Sequence, residues 1–130
     1  MEGVPDTALG RMYREHIRHI LDGDIEALLD QYTDDALLIS SFSREPQIYK
    51  GRDQVREHMQ GILGIKGLET DIAFWAETDD PQTLMIVEKI TMQTADGEAH
   101  MRFADSWVLR DGRIAIHFAG MTQYPDGSVA

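Results

Sequence analysis

The sequence contains no cysteine. That absence excludes disulfides, thiolate metal ligands and a cysteine nucleophile, and it leaves no sign of an oxidising compartment. Basic residues are also scarce, with 12 Lys and Arg against 23 Asp and Glu and a net charge of -11. Phosphate binding needs clustered cations, so neither a nucleic acid nor an anionic membrane is expected as a partner. No apolar run approaches the ~20 residues of a membrane span. The start, "MEGVPDTALG", lacks the basic and apolar regions of a signal peptide, so the cytoplasm is the expected compartment.

Several chemical motifs are missing too. The glycines of "GILGIKG" lack the Lys-Ser/Thr of a nucleotide loop, and no Gly-x-Ser-x-Gly elbow occurs. His16 and His19 stand three apart, but no Glu-x-x-His or HExxH partner accompanies them, and His58 and His100 are isolated. Neither a metal nor a cofactor is therefore expected.

What remains is a chain of 130 residues, 42% apolar, with two tryptophans. That is enough for one domain over residues 1–130 with a substantial core. From Thr7 to Asp22 the residues Leu9, Met12, Tyr13, Ile17, Ile20 and Leu21 recur at helical spacing behind a cap at Asp6 or Thr7. Asp24 caps a second helix predicted over Ile25 to Tyr32, followed by a short buried strand at "ALLIS". The stretch "FSREPQ" reads as an irregular loop, and "GRDQVREHMQGIL" as a third helix.

Beyond "GIKG" the period changes to two. Four strands are predicted, roughly Leu68 to Thr78, Thr83 to Thr94, Glu98 to Arg110 and Arg113 to Tyr124, with turn chemistry at "DDPQ", "ADGE" and "DG". Three helices followed by an antiparallel run imply an α+β fold with the helices on one face of a bent sheet. The tail "YPDGSVA" is expected to fray.

Within "HMRFADSWVL", Asp105 alternates with Met101, Phe103, Trp107 and Leu109 and so shares their face. Burial there disfavours the charged carboxylate and would let it exchange protons near neutral pH. Alternatively, Asp105 lies at an edge or pairs with Arg102 or Arg113. The position of His117 depends on the turn at Asp111 and Gly112. A two-residue turn sets Asp105 level with Phe118 and sends His117 to the other face, whereas a three-residue turn with Gly112 as a bulge sets His117 level with Asp105. His16 lies at the margin of the first helix's apolar stripe, where it either packs or looks inward, and Tyr32 is placed to hydrogen-bond it.

This order, with "HILDGDIEALLDQYTDDALL", "YKGRDQVREHM" and "FADSWVLRDGRIA", resembles the nuclear transport factor two superfamily, and within it the SnoaL-like polyketide cyclases and the ketosteroid isomerases. The resemblance runs from Leu9 to Tyr124 and implies a cone-shaped, curved, mixed but mainly antiparallel sheet. It places Asp105 where the isomerases keep a protonated, hydrogen-bond-donating aspartic acid, and His16 where they keep an oxyanion-hole tyrosine. Ser40 replaces their proton-shuttling aspartate, which argues against steroid isomerisation by that mechanism. His117 is set on the pocket side. Tyr32, Met59, Trp75 and Met121, with Phe103 and Ser40, are expected to line the cavity.

The implied function is cofactor-independent acid–base catalysis on a small hydrophobic, cyclic or carbonyl-bearing molecule, as isomerase, dehydratase or cyclase. Asp105 and His117 would exchange protons, and His16 would polarise an oxygen. The alternative is a non-catalytic ligand-binding or oligomerising domain. A homodimer through the outer sheet face is also implied, with Met85, Val87 and Trp75 on one side of the sheet and Leu84, Ile86 and Ile90 on the other.

Overall fold

The computed structural model describes residues 2–130. Helix α1 (Ala8–Asp22) starts where the Thr7 hydroxyl accepts the Gly10 amide at 3.0 Å, and it ends at Gly23 in the left-handed region (φ 70°). Its buried face carries Leu9, Tyr13, His16, Ile17 and Ile20. Asp24 caps α2 (Ile25–Leu29) through the Ala27 amide. That helix stops short of Tyr32, which instead opens strand β1 (Tyr32–Ser40), so the expected boundary is corrected by one helical turn. The apolar spacing at Leu28, Leu29 and Tyr32 serves both elements, and nothing in it marks where one gives way to the other.

Strand β2 (Gln47–Lys50) begins at the last residue of the segment read as irregular and has no counterpart among the expected elements, and α3 (Gly51–Gln60) follows it, ending before Ile62. Strands β3 (Glu69–Asp79), β4 (Gln82–Thr94), β5 (Gly97–Arg110) and β6 (Arg113–Gln123) fall within about a residue of the expected spans. The six strands form one sheet in the order β2-β1-β6-β5-β4-β3. Only the β1–β6 pairing is parallel. This is the curved mixed sheet with three helices expected for an α+β cone.

Register decides which side chains face inward. The turn after β5 has two residues, with Arg110 opposite Arg113, but β6 then bulges: Leu109 pairs with Ile114 and Val108 with Ile116. Ala115 is the extra residue. Trp107 consequently lies opposite His117 and Asp105 opposite Ala119. Neither anticipated register is right, yet the bulge restores the face that the longer turn would have given, and His117 points inward diagonally to Asp105.

The concave face packs Leu84, Ile86, Trp107, Ile114 and Leu38 against α1 and α3. A second cluster, Met101, Phe103, Met121 and Tyr124, closes the far end. On the convex face a row runs across the sheet through Ile48, Ile39, Phe118, Ser106 and Met85. Trp75 lies level with Ile86, on the concave side rather than with Met85, because β3 bulges between Ile72 and Phe74.

The tail does not fray. Tyr124 donates its hydroxyl to the Ser41 carbonyl at 2.9 Å, its amide meets Ser128, and Arg44 lies 4.0 Å from its ring centroid. These contacts pin the segment against the β1–β2 loop.

Candidate active site

A cavity of about 330 Å3 opens inside the cone. Ile17, Ile62, Ile65, Leu68, Met92 and Met101 supply much of an apolar wall, and polar groups converge at one region of it: Tyr13, His16, Glu88, Asp105 and His117. A pocket of this kind, largely apolar with a few convergent polar groups, suits a small organic molecule.

Asp105 reaches it from β5 with 15% of its side-chain surface open. It pairs with neither Arg102 nor Arg113; its Oδ1 meets His117 Nε2 at 2.7 Å. On the other side of the imidazole, Nδ1 lies 2.7 Å from the Tyr32 hydroxyl. Tyr32 therefore orients His117 rather than His16, the partner expected from the sequence. Asp105 also hydrogen-bonds Glu88 and the Ser106 backbone, and Glu88 in turn accepts the Tyr13 hydroxyl. The result is one chain of ionisable groups, Tyr32, His117, Asp105, Glu88 and Tyr13.

Burial governs its electrostatics. It pushes Asp105 up to about 7, against the lowering hydrogen bonds from Glu88 and Ser106. Burial followed by the nearby Asp105 charge pushes Glu88 up to about 8. The same desolvation lowers His117 to about 4 and His16 to about 3, so both imidazoles are neutral at physiological pH. A consistent proton assignment satisfies the chain. Tyr13 donates to protonated Glu88, Glu88 and His117 Nε2–H donate to the Asp105 carboxylate, and Tyr32 donates to His117 Nδ1. Near neutrality the cluster thus holds a single negative charge on Asp105 and one carboxylic proton beside it.

Glu88 was not foreseen. Its signal was the same as that of Asp105, a carboxylate at the inward position of Leu84, Ile86, Glu88 and Ile90. Tyr13, a core residue by its helical spacing, also enters this network, since Thr70 and Glu88 both bond its hydroxyl.

His16 lies on the cavity wall, its ring centroid 6.1 Å from that of His117. Its Nδ1 sits 3.0 Å from Gln31 Oε1, while Gln31 Nε2 donates to the Met12 carbonyl at 3.0 Å. That second bond orients the amide, since a flipped Gln31 would set its oxygen against the carbonyl. Nδ1 therefore carries the hydrogen and Nε2 the lone pair. In this tautomer His16 accepts a hydrogen bond and does not polarise a ligand oxygen, which corrects the expected role.

Met59, Phe103 and Met121 line the cavity as expected, whereas Tyr32, Ser40 and Trp75 do not. Tyr32 stands behind His117. Trp75 packs edge-on against Tyr13 and donates its Nε1–H to Glu77. Ser40 is buried, with its Oγ 3.1 Å from Nε2 of His58, which lines the wall. Among the described residues no three His, Asp or Glu side chains group to hold a metal ion. No described helix is long and apolar enough to cross a membrane.

No curated protein matches the sequence. Solved structures do resemble the fold. A putative isomerase from Bacillus subtilis superposes with a TM-score of 0.74 at 12% identity, over 88% of this chain and 86% of that one. SalBIII, an epoxide hydrolase/cyclase-like enzyme in pyran ring formation in the polyether salinomycin, gives 0.70 at 15% identity, covering 85% and 88%. A putative calcium/calmodulin-dependent protein kinase II association domain from Xanthomonas campestris gives 0.66 at 18% identity, covering 87% and 84%. A family model for the SnoaL-like domain matches residues 13–117, a span holding every member of the ionisable chain, and this protein belongs to the SnoaL-like family.

Proposed function

We propose that the protein is a cofactor-independent enzyme that moves protons on a small hydrophobic molecule held in the cone, by isomerisation, dehydration or cyclisation. One observation carries this reading: the coupled acids Asp105 and Glu88, backed by His117, open onto an otherwise greasy cavity. In that setting the Asp105 carboxylate is poised to take a proton from a bound carbon or hydroxyl. The His117 N–H steadies the carboxylate. The Glu88 proton, one hydrogen bond away, is available for return to a neighbouring atom of the same molecule, so the reaction is redox-neutral. The use of this fold in SalBIII for pyran ring formation supports a reaction of this class.

The test begins with a thermal-shift screen of cyclic ketones, enols and hydroxylated aromatics, followed by product analysis for each binder. Asp105→Asn keeps the shape of the side chain and is expected to abolish turnover nearly completely while the fold survives. Unchanged rates would refute the assignment.

A second reading, a non-catalytic association module, is favoured by the kinase association domain among similar folds and by the convex sheet face. Phe74, Met85 and Phe118 are 57%, 55% and 46% exposed there. These residues suit a twofold contact with a second copy of the chain, and the proposed state is a homodimer joined through that face. The dimer is compatible with catalysis, because the cavity opens on the opposite side of the sheet.

A further inference from the structure

The donors at the inner end of the cavity are already engaged within the protein. Tyr13 O–H goes to Glu88, the Glu88 proton and His117 Nε2–H go to Asp105, and His16 Nδ1–H goes to Gln31. What the described groups leave over is acceptor capacity, the lone pair of His16 Nε2 and the open edge of the Asp105 carboxylate. Trp107 Nε1–H is a buried donor without a partner, but Trp107 stands behind His16 and does not line the cavity. His58 Nδ1 is likewise shut away, on a different stretch of wall.

We infer that the molecule bound here presents a hydrogen-bond donor, a hydroxyl, enol or N–H group, to His16 Nε2, and that His16 held by Gln31 is the specificity determinant. The inference rests on the cavity reading above and narrows its substrate class. A bare carbonyl or ether oxygen at this position would set lone pair against lone pair beside a carboxylate and leave a buried acceptor unpaired. A hydroxylated ring satisfies the imidazole and brings its own O–H or an adjacent C–H toward Asp105. The wall accordingly carries three neutral histidines, His16, His58 and His117, and no lysine or arginine.

Three probes of one shape decide it: 2-naphthol, 2-methoxynaphthalene and 2-naphthaldehyde, titrated calorimetrically against the full chain at pH 7.5. The naphthol is expected to bind about tenfold more tightly than the other two, the effect of one buried hydrogen bond. His16→Phe should erase that gap, and Gln31→Leu should narrow it by freeing the ring to change tautomer. Long-range 15N–1H spectra of the unaltered protein give a check that no variant can confound, and they should show His16 protonated at Nδ1.

An Nε2–H tautomer, or an aldehyde that binds as tightly as the naphthol, overturns the inference. A naphthol preference that survives in His16→Phe overturns the role of His16. Failure of all three probes to bind would overturn the cavity reading and this inference with it. Turnover indifferent to Asp105→Asn would instead sink the catalytic reading alone and leave the donor preference standing.

Discussion

On β6, Ile114, His117 and Ala119 face the concave side of the sheet, while Ile116 and Phe118 face the convex side. The two sets come from one strand and differ by a single bulged residue, Ala115. On the concave side, ionisable groups are withdrawn from water: Glu88 is 3% exposed and His117 3%. On the convex side, large apolar groups stand in water instead. Each face departs at a few positions from the usual rule that charge lies outside and grease inside, while the rest of the concave face remains apolar core. Strand alternation lets one sheet separate a buried ionisable cluster from an exposed apolar surface, and a local backbone irregularity assigns residues to either side.

The largest expected effect breaks the concave side alone. Asp105→Asn should lower turnover by roughly a hundredfold to ten-thousandfold, with the circular dichroism spectrum and oligomeric state unchanged. If the faces are independent, Met85→Lys or Phe118→Lys should do the reverse. Either variant should weaken the proposed dimer by roughly thirtyfold or more, judged by light scattering at micromolar concentration, and leave turnover intact. A monomeric unaltered protein would contradict the proposal for the convex face.

Stability against pH also separates the two faces. Folded Asp105 and Glu88 titrate near 7 and 8, above their ordinary values of 3.8 and 4.5, so the folded state keeps protons that the unfolded chain has released. Raising the pH from 6.5 to 8.5 strips these protons from buried groups. Stability should therefore fall across that window, by on the order of 2 kcal/mol in chemical denaturation. The depressed histidines His16, His58 and His117 act in the opposite sense around their ordinary value of 6.5, so they offset part of the fall at the low end of the window and little of it above about pH 7.5. Glu88→Gln should flatten it, and convex-face variants should not.

The smallest effect sharpens the picture of the interior. Tyr32→Phe deletes the bond to His117 Nδ1 without touching the cavity wall, and should cost roughly threefold to tenfold in turnover, within the ~0.5–1.5 kcal/mol of one hydrogen bond. It should also shift the pH profile, which a purely packing role for the ring would not do.

Much of this was legible in the sequence. Period-two patterning fixed β3 to β6 almost to the residue, because half-buried strands have only one way to alternate. The helix caps at Thr7 and Asp24 followed from side-chain chemistry alone. Asp105 stood out as an acid among aromatics. Glu88 meets the same criterion, an acid at an inward position between Ile86 and Ile90.

What the sequence did not disclose depended on backbone geometry or distant partners. The Ala115 bulge leaves no mark in composition, yet it alone turns His117 inward. The strand β2 is short and largely exposed, so it has no buried face to imprint a pattern. The tautomer of His16 depends on Gln31 and the Met12 carbonyl, a contact made by the folded chain and invisible to spacing. The ordered tail rests on Tyr124 meeting Ser41, residues far apart in the chain.

Two carboxyl groups inside the cone are expected to share protons near neutral pH. The most direct test is a pH titration of protein labelled with 13C at the Asp and Glu side-chain carboxyls, followed by NMR. Two coupled steps near 7 and 8 are expected, both lost in the Asp105→Asn, Glu88→Gln double variant. If every carboxyl instead titrates below 5, the interior holds no proton to trade and the account is wrong.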